Sequence, residues 1–262
     1  RGAPAPLNAY RLIAFTGSGG KTSLAQWAAS IAQTKKKRTI ITTTTKIFPP
    51  PSECIITEDG ESDFLIRVHD KLKESPMVIV ASRFDHITGK LIGLHPQAIS
   101  RLHHAGLADL ILVEADGAAR KPLKAPNATE PVIPPETDLC IAVMGLDATY
   151  EPLCESTVHR SDIFSFITGR SKSKAILPVD MYRIATAPDG LFKGCPSNTD
   201  RVVFLNKADR PGFEVLVNRF AALLEREKPL KSRWFAGSAL QRQAREIKIP
   251  SYFTPFCVPP LI

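Results

Sequence analysis

The chain has 262 residues and a formal net charge of +8, with 44% hydrophobic and 23% charged residues. This composition excludes a disordered chain, because enough apolar surface is available to form a large core. No apolar run approaches the roughly 18 residues that a membrane span needs. The five cysteines form no Cys-x-x-Cys pair, and the start of the sequence lacks the apolar stretch of a signal peptide. We therefore expect a cytoplasmic protein without disulfides and without a membrane partner.

Strand-like and helix-like segments alternate along the chain, which is the pattern of a parallel sheet with crossover helices. We predict strands at residues 12–15, 38–45, 77–81, 109–114, 139–144, 201–205 and 234–236. We predict helices at residues 22–33, 61–73, 96–105 and 214–225, and a last helix from residue 238. The prediction is an α/β fold of the three-layer P-loop NTPase-like type, with a mainly parallel sheet flanked by helices. It forms a single domain over residues 1–262, with a functional loop insertion near 117–137.

A glycine-rich turn joins the first predicted strand to the first predicted helix, and its residues are Gly17, Ser18, Gly19, Gly20, Lys21 and Thr22. Glycines let backbone N–H groups point at an anion, and the helix N-terminus adds partial positive charge. Lys21 can reach terminal phosphates, and the Thr22 hydroxyl can bind Mg²⁺. The loop is compact, since Phe15 stands where the common G-x-x-x-x-G-K-[ST] pattern has its first glycine. We predict a triphosphate site, the alternative being a plain flexible connection.

The densest run of positive charge lies at residues 35–38, just after the first predicted helix. Cations suit a helix C-terminus, and no aromatic residues interleave with these charges to stack on bases. We therefore do not expect a nucleic-acid partner. The net positive charge is compatible with anionic ligands or an acidic protein partner, and a homodimer stays open.

Two carboxylates follow a strongly apolar strand, at Glu114 and Asp116. Ligands of open α/β sheets bind at the carboxyl edge, and residues two apart in an extended chain point the same way. We predict that Glu114 and Asp116 hold Mg²⁺ or orient an attacking water. Thr22 is a further candidate ligand, as is Thr44 from the threonine run at 42–45, although strand propensity explains that run equally well.

Asn206, Lys207 and Asp209 follow another apolar strand and resemble the N-K-x-D element of GTP-binding proteins. An aspartate can accept from both N1–H and the 2-amino group of guanine, a pair that adenine lacks, which favours GTP on the order of a hundredfold. Ser238 and Ala239 resemble the Ser-Ala element whose backbone N–H contacts guanine O6. The cofactors expected are GTP or ATP with Mg²⁺.

These motifs, together with residues 42–46, 123–126, 130–134 and 158–160, occur in the order seen in the YqeC family, which the chain resembles over residues 11–210. The resemblance implies a Mg-dependent P-loop NTPase, a GTPase or ATPase. It also implies an accessory factor for maturation or cofactor insertion, whose partner is a selenium-dependent molybdenum hydroxylase or its maturation machinery.

The resemblance further implies that Lys124, Glu130, His159 and Arg160 line or neighbour the site. Arg160 would then stabilise transition-state charge in cis, the alternative being an ordinary helix start. The candidate catalytic residues are therefore Lys21, Glu114, Asp116 and Arg160. Two other functions stay open, an ATP-dependent ligase or transferase that activates a small acid and a non-catalytic, nucleotide-gated binding protein.

Overall fold

The computed structural model describes residues 9–49, 54–56, 63–228 and 232–247. In chain order its strands are β1 (Leu12–Gly17), β2 (Thr39–Thr43), β3 (Lys46–Ile47), β4 (Cys54–Ile56), β5 (Met77–Ala81), β6 (Arg83–Asp85), β7 (Lys90–Ile92), β8 (Leu110–Glu114), β9 (Leu123–Lys124), β10 (Leu139–Gly145), β11 (Val158–His159), β12 (Asp200–Asn206), β13 (Arg233–Ser238) and β14 (Gln243–Glu246). Its helices are α1 (Lys21–Thr34), α2 (Phe64–Glu74), α3 (Pro96–His104), α4 (Ser161–Thr168), α5 (Pro178–Thr186) and α6 (Phe213–Glu227).

The described residues form a nine-stranded central sheet in the order β14-β13-β12-β10-β1-β8-β2-β5-β4. All neighbouring pairs are parallel except β13 and β14, which are antiparallel. The central strands are buried along their whole length, because parallel sheets are covered on both faces and their strands read as continuous apolar runs. The predicted three-layer α/β class is confirmed.

The two faces of the sheet pack against different helices. Ile13 and Phe15 of β1 contact the apolar side of α1 on one face. Leu12 and Ala14 point to the opposite face, where the cores formed with α2 to α6 lie, since successive strand residues alternate in direction. Within the described residues, none of the helices is long and apolar enough to cross a membrane.

The predicted last helix from residue 238 is wrong. Ser238 ends β13, and the chain turns back to form β14, whose residues pair with Phe235–Ser238. The Arg233 guanidinium holds this hairpin through two bonds to the Glu246 carboxylate, at 2.8 and 2.9 Å. The segment favours a helix by local propensity, but pairing with the edge strand overrides that preference. Helix α5 and the small antiparallel sheet β3-β7-β6 were not predicted. Helix α4 begins at Ser161, where the alternative interpretation of Arg160 as an ordinary helix start puts a helix.

Candidate nucleotide-binding site

A cavity of about 1050 Å³ lies at the carboxyl edge of the sheet, the edge where ligands of open α/β sheets bind. The predicted site residues in its lining are Ser18, Gly19, Gly20, Lys21, Thr22, Glu114, Asp116, Asn206, Lys207, Asp209 and Ser238. Motifs that are separated by up to about two hundred residues therefore meet at one opening. The predicted residues outside the lining are Gly17, Thr44, Arg160 and Ala239, together with Lys124 and Glu130 from the family resemblance.

The glycine-rich loop is closely packed against its neighbours. Gly20 has a φ of 132°, and a Cβ there would collide with the Asn206 amide. The Ser18 backbone N–H donates to Val143 O at 2.8 Å, and its hydroxyl donates to Lys121 O. No described side chain caps α1, which starts at Lys21. The N–H groups at this helix start thus remain available to an anion.

Lys21 and Asp116 form a buried ion pair beside this loop. Lys21 Nζ lies 3.0 Å from Asp116 Oδ1 and donates to Gly17 O at 2.6 Å, and the two side chains are only 5% and 1% exposed. Asp116 Oδ2 accepts from the Gly17 N–H at 2.9 Å and lies 3.1 Å from Lys124 Nζ. The Asp116 carboxylate therefore fastens the start of the loop and forms ion pairs with two lysines.

Glu114 ends β8 next to Thr22. Burial raises the pKa of the Glu114 carboxyl, while the nearby Lys21 charge and a hydrogen bond with Thr22 oppose that shift. Together Glu114 and Thr22 supply a carboxylate and a hydroxyl oxygen, which are donors that Mg²⁺ accepts when it also binds phosphates. The described residues contain no group of three or more His, Cys, Asp or Glu side chains that could hold a metal alone.

Thr44, the other predicted metal ligand, is turned elsewhere. Its hydroxyl donates to Val132 O at 2.9 Å, and the neighbouring Thr45 lines the cavity instead. Thr44 therefore contacts the loop that follows Asp116, and its ligand role stays a prediction.

Asn206 joins the glycine-rich loop to the far end of the cavity. Its Nδ2 donates to Gly19 O at 2.8 Å, and its Oδ1 accepts from the Ala239 N–H at 2.9 Å. Asp209 is exposed and accepts from Gln241 Nε2 at 3.2 Å. The backbone N–H of Gln241 donates to Ser238 Oγ, also at 3.2 Å. The N-K-x-D and Ser-Ala elements are thus adjacent to each other, and their predicted role in guanine binding stays a prediction.

Two comparisons with known proteins bear on the family. A model of the YqeC protein family matches residues 13–162. A protein of Escherichia coli (strain K12), named "Uncharacterized protein YqeC", is 36% identical over 196 residues, which are 75% of each chain. The chain belongs to the YqeC family.

The YqeC family match includes the glycine-rich loop, both acids and the segment up to α4, but it ends before Asn206. Inside it lies a line of alternating charges, here called the charge chain: Lys21, Asp116, Lys124, Glu130 and Arg160. Lys124 is fully buried and contacts Glu130 Oε2 at 2.9 Å, and the Arg160 guanidinium donates to the same oxygen at 2.8 Å. The resemblance to this family implied that Lys124 and Glu130 line or neighbour the site. Lys124 contacts Asp116 directly, and Glu130 is linked to Asp116 through Lys124.

The environment of the charge chain shifts two pKa values. Burial raises the pKa of the Glu130 carboxyl, but the Arg160 hydrogen bond and the Lys124 charge outweigh burial and lower it to about 2. His159 lines the cavity, and burial, followed by the charges of Arg160 and Lys124, lowers the pKa of its imidazole. The Arg160 guanidinium donates to Glu130 and to Ala125 O, and Arg160 does not line the cavity. Its role at the transition state stays a prediction.

Sequence reasoning missed Asp147, which lies just after β10. Its Oδ2 accepts from Lys207 Nζ at 2.6 Å and lies 3.7 Å from the Arg210 guanidinium. These contacts hold Lys207, which has a left-handed φ of 68°, beside the glycine-rich loop. The available signal was an aspartate two residues after the end of an apolar strand, the position that Asp116 has after β8.

Proposed function

We propose that this protein binds a nucleoside triphosphate with Mg²⁺ in the cavity at the carboxyl edge of the sheet. The Asn206 bridge supports this proposal most strongly, because one side chain links Gly19 of the phosphate-binding loop to Ala239 of the base-reading segment. A ligand that fits both ends must be an anion with a ring that carries hydrogen-bonding groups. A nucleotide has that chemistry.

The proposed nucleotide lies with its phosphates at α1 and its base near Asp209 and Ser238. The helix start and Lys21 bind the β- and γ-phosphates, and Thr22 and Glu114 supply oxygen ligands to Mg²⁺. Asp209 favours guanine, since its carboxylate accepts from two ring donors that adenine lacks. GTP is therefore the preferred ligand, with ATP as the weaker one.

We further propose that the bound triphosphate is hydrolysed. Glu114 and Asp116 are the carboxylates next to the phosphate end. Asp116 accepts from the Gly17 N–H and is paired with Lys21 and Lys124, whereas Glu114 has Thr22 as its hydrogen-bond partner and a pKa raised by burial. Glu114 thus orients or deprotonates the attacking water. Hydrolysis would drive the maturation of a partner enzyme. The family resemblance implies that this partner is a molybdenum hydroxylase.

Isothermal titration of GTP and ATP with Mg²⁺ tests binding. Lys21→Ala should weaken GTP binding on the order of a hundredfold or more, because it removes a charge-assisted contact to phosphate. Lys174→Gln removes a positive charge from an exposed position outside the cavity and should bind as wild type does. Wild-type affinity in a folded Lys21→Ala variant would refute the site.

Phosphate release under single-turnover conditions tests hydrolysis. Glu114→Gln keeps a side-chain oxygen for Mg²⁺ and should still bind GTP, but it loses the base and should slow the chemical step by about 10² to 10⁴, the usual contribution of a general base. Glu151→Gln, at an exposed carboxyl outside the cavity, serves as the matched control. Unchanged turnover in Glu114→Gln would contradict the general-base role of Glu114 and would assign that role to Asp116.

A further inference from the structure

The cavity is longer than the proposed nucleotide site. The base-reading Asn206 ends β12, whereas Ile79 of β5 also lines the cavity. Five strand spacings separate β12 from β5 in the sheet, which is about 24 Å at the usual interstrand distance. Since the glycine-rich loop follows β1, between these strands, a nucleotide that runs from the loop toward β12 leaves the part over β2 and β5 open.

This open part, here called the distal subsite, has an apolar floor and a positively charged rim. The floor consists of Ile41, Met77 and Ile79, and the rim consists of Lys46, Phe48, Lys90 and Arg120. Ile41 and Ile79 share the α1 face of the sheet, and α1 itself packs on β1, β2 and β8. The sheet thus continues past the helix and offers apolar side chains to the cavity.

The rim gathers cations around one aromatic ring. Phe48 is half exposed, and both Lys90 Nζ, at 5.0 Å, and Arg120 Cζ, at 4.6 Å, lie over its ring. Lys46 is 3.8 Å from Asp85. Among the described residues, no carboxylate forms an ion pair with Lys90 or Arg120. Cations without counter-charges at the wall of a cavity attract an anionic ligand.

The position of Arg120 is linked to the glycine-rich loop. Ala119 and Arg120 are both left-handed, with φ of 47° and 59°, a conformation that persists in non-glycine residues only where the surroundings hold it. The carbonyl oxygen of the next residue, Lys121, accepts a hydrogen bond from the Ser18 hydroxyl. The distal subsite is therefore attached to the phosphate end of the cavity.

We propose that the distal subsite binds a second ligand beside the nucleotide, an organic phosphate with a flat apolar body. Several cations in one patch match a dianion better than a single carboxylate, and the Arg120 guanidinium fits phosphate oxygens in a bidentate manner. The apolar body lies on Ile41 and Ile79. The simultaneous occupancy rests on the proposed function, and the second ligand would sit next to the terminal phosphate of the nucleotide.

Naphthyl phosphate, whose fluorescence reports its environment, is a suitable probe for titration of the full chain. We expect saturable binding of one molecule, with and without Mg²⁺ and a non-hydrolysable GTP analogue. Lys90→Gln and Arg120→Gln should each weaken the probe about tenfold or more, the effect of a lost charge-assisted bond. Lys174→Gln should leave it unchanged, and naphthol or inorganic phosphate alone should bind more weakly.

Two results would overturn this proposal. One is the absence of saturable probe binding, or binding that Lys90→Gln and Arg120→Gln leave unchanged. The other is full displacement of the probe by the GTP analogue, which would place both in one site. Failure of the nucleotide proposal has a different signature, because GTP would then not bind while the probe would still bind and still respond to Arg120→Gln.

Discussion

The two ends of the cavity at the carboxyl edge of the sheet, called here the phosphate end and the base end after the nucleotide proposed to bind there, are built in opposite ways. At the phosphate end Lys21, Asp116 and Lys124 are almost completely buried and contact one another. At the base end Asp209 is exposed, and Lys207 is about one-third exposed beside Asp147. Charges at the phosphate end are therefore part of the folded core, whereas charges at the base end are available to select a ligand. Substitutions should separate these two roles.

The largest effect is expected from Lys124→Met. The variant leaves Asp116 and Glu130 without their shared cation, and breaking a buried ion pair in this way costs about 3–5 kcal/mol. The matched change at the base end, Lys207→Met, removes a partly exposed partner of Asp147 and should cost about 1 kcal/mol or less. Urea unfolding of both variants measures the difference in the free energy of unfolding.

If the two variants lose equal amounts of unfolding free energy, the comparison is contradicted, because burial would then not make the charges at one end more important for stability than those at the other. A smaller loss in Lys124→Met would indicate that water reaches Asp116 when the lysine is removed. Wild-type GTP affinity in folded Lys207→Met would add that this lysine is not needed to hold the base.

An intermediate effect is expected from pH at the charge chain. The pKa of Glu130 is about 2 in the folded protein, below its value in the unfolded chain, so its ionised form stabilises the fold. This contribution is complete above the unfolded pKa and decreases as the pH falls from about 5 toward 2. Urea unfolding at several pH values measures how much the free energy of unfolding falls between about pH 5 and pH 2. That decrease should be smaller in Glu130→Gln than in wild type or in Glu151→Gln. An identical pH dependence in all three would exclude this role of Glu130.

The smallest effect is expected from Asp209→Asn. Its carboxylate is exposed and already accepts from Gln241, so we expect the preference for GTP over ATP to fall by only about tenfold, with stability unchanged. Asp189→Asn, at an exposed carboxyl outside the cavity, is the control. Parallel titrations with both nucleotides measure the ratio of affinities, and an unchanged ratio would remove Asp209 from base selection.

Local signals predicted much of the sheet and the elements of the site. Three local patterns each indicate the end of a strand. They are the glycine-rich turn, a carboxylate after an apolar run, and Asn206-Lys207 after another apolar run. Lys124 gave no such signal, because burial of a lysine depends on carboxylates brought from elsewhere in the fold. The β14 hairpin was missed for a similar reason, since the Arg233–Glu246 pair forms only when the chain turns back. Long-range partners thus account for the main errors.

The Lys21–Asp116 contact has a consequence for how tightly any phosphate can bind. Asp116 and Gly17 O take two of the three N–H donors of Lys21, which leaves one donor for a phosphate oxygen. Asp116 therefore holds the ammonium in place but also offsets part of its positive charge, so the attraction of Lys21 for a phosphate is weaker than that of an unpaired lysine. Lys124, which lies 3.1 Å from Asp116, restores part of that positive charge.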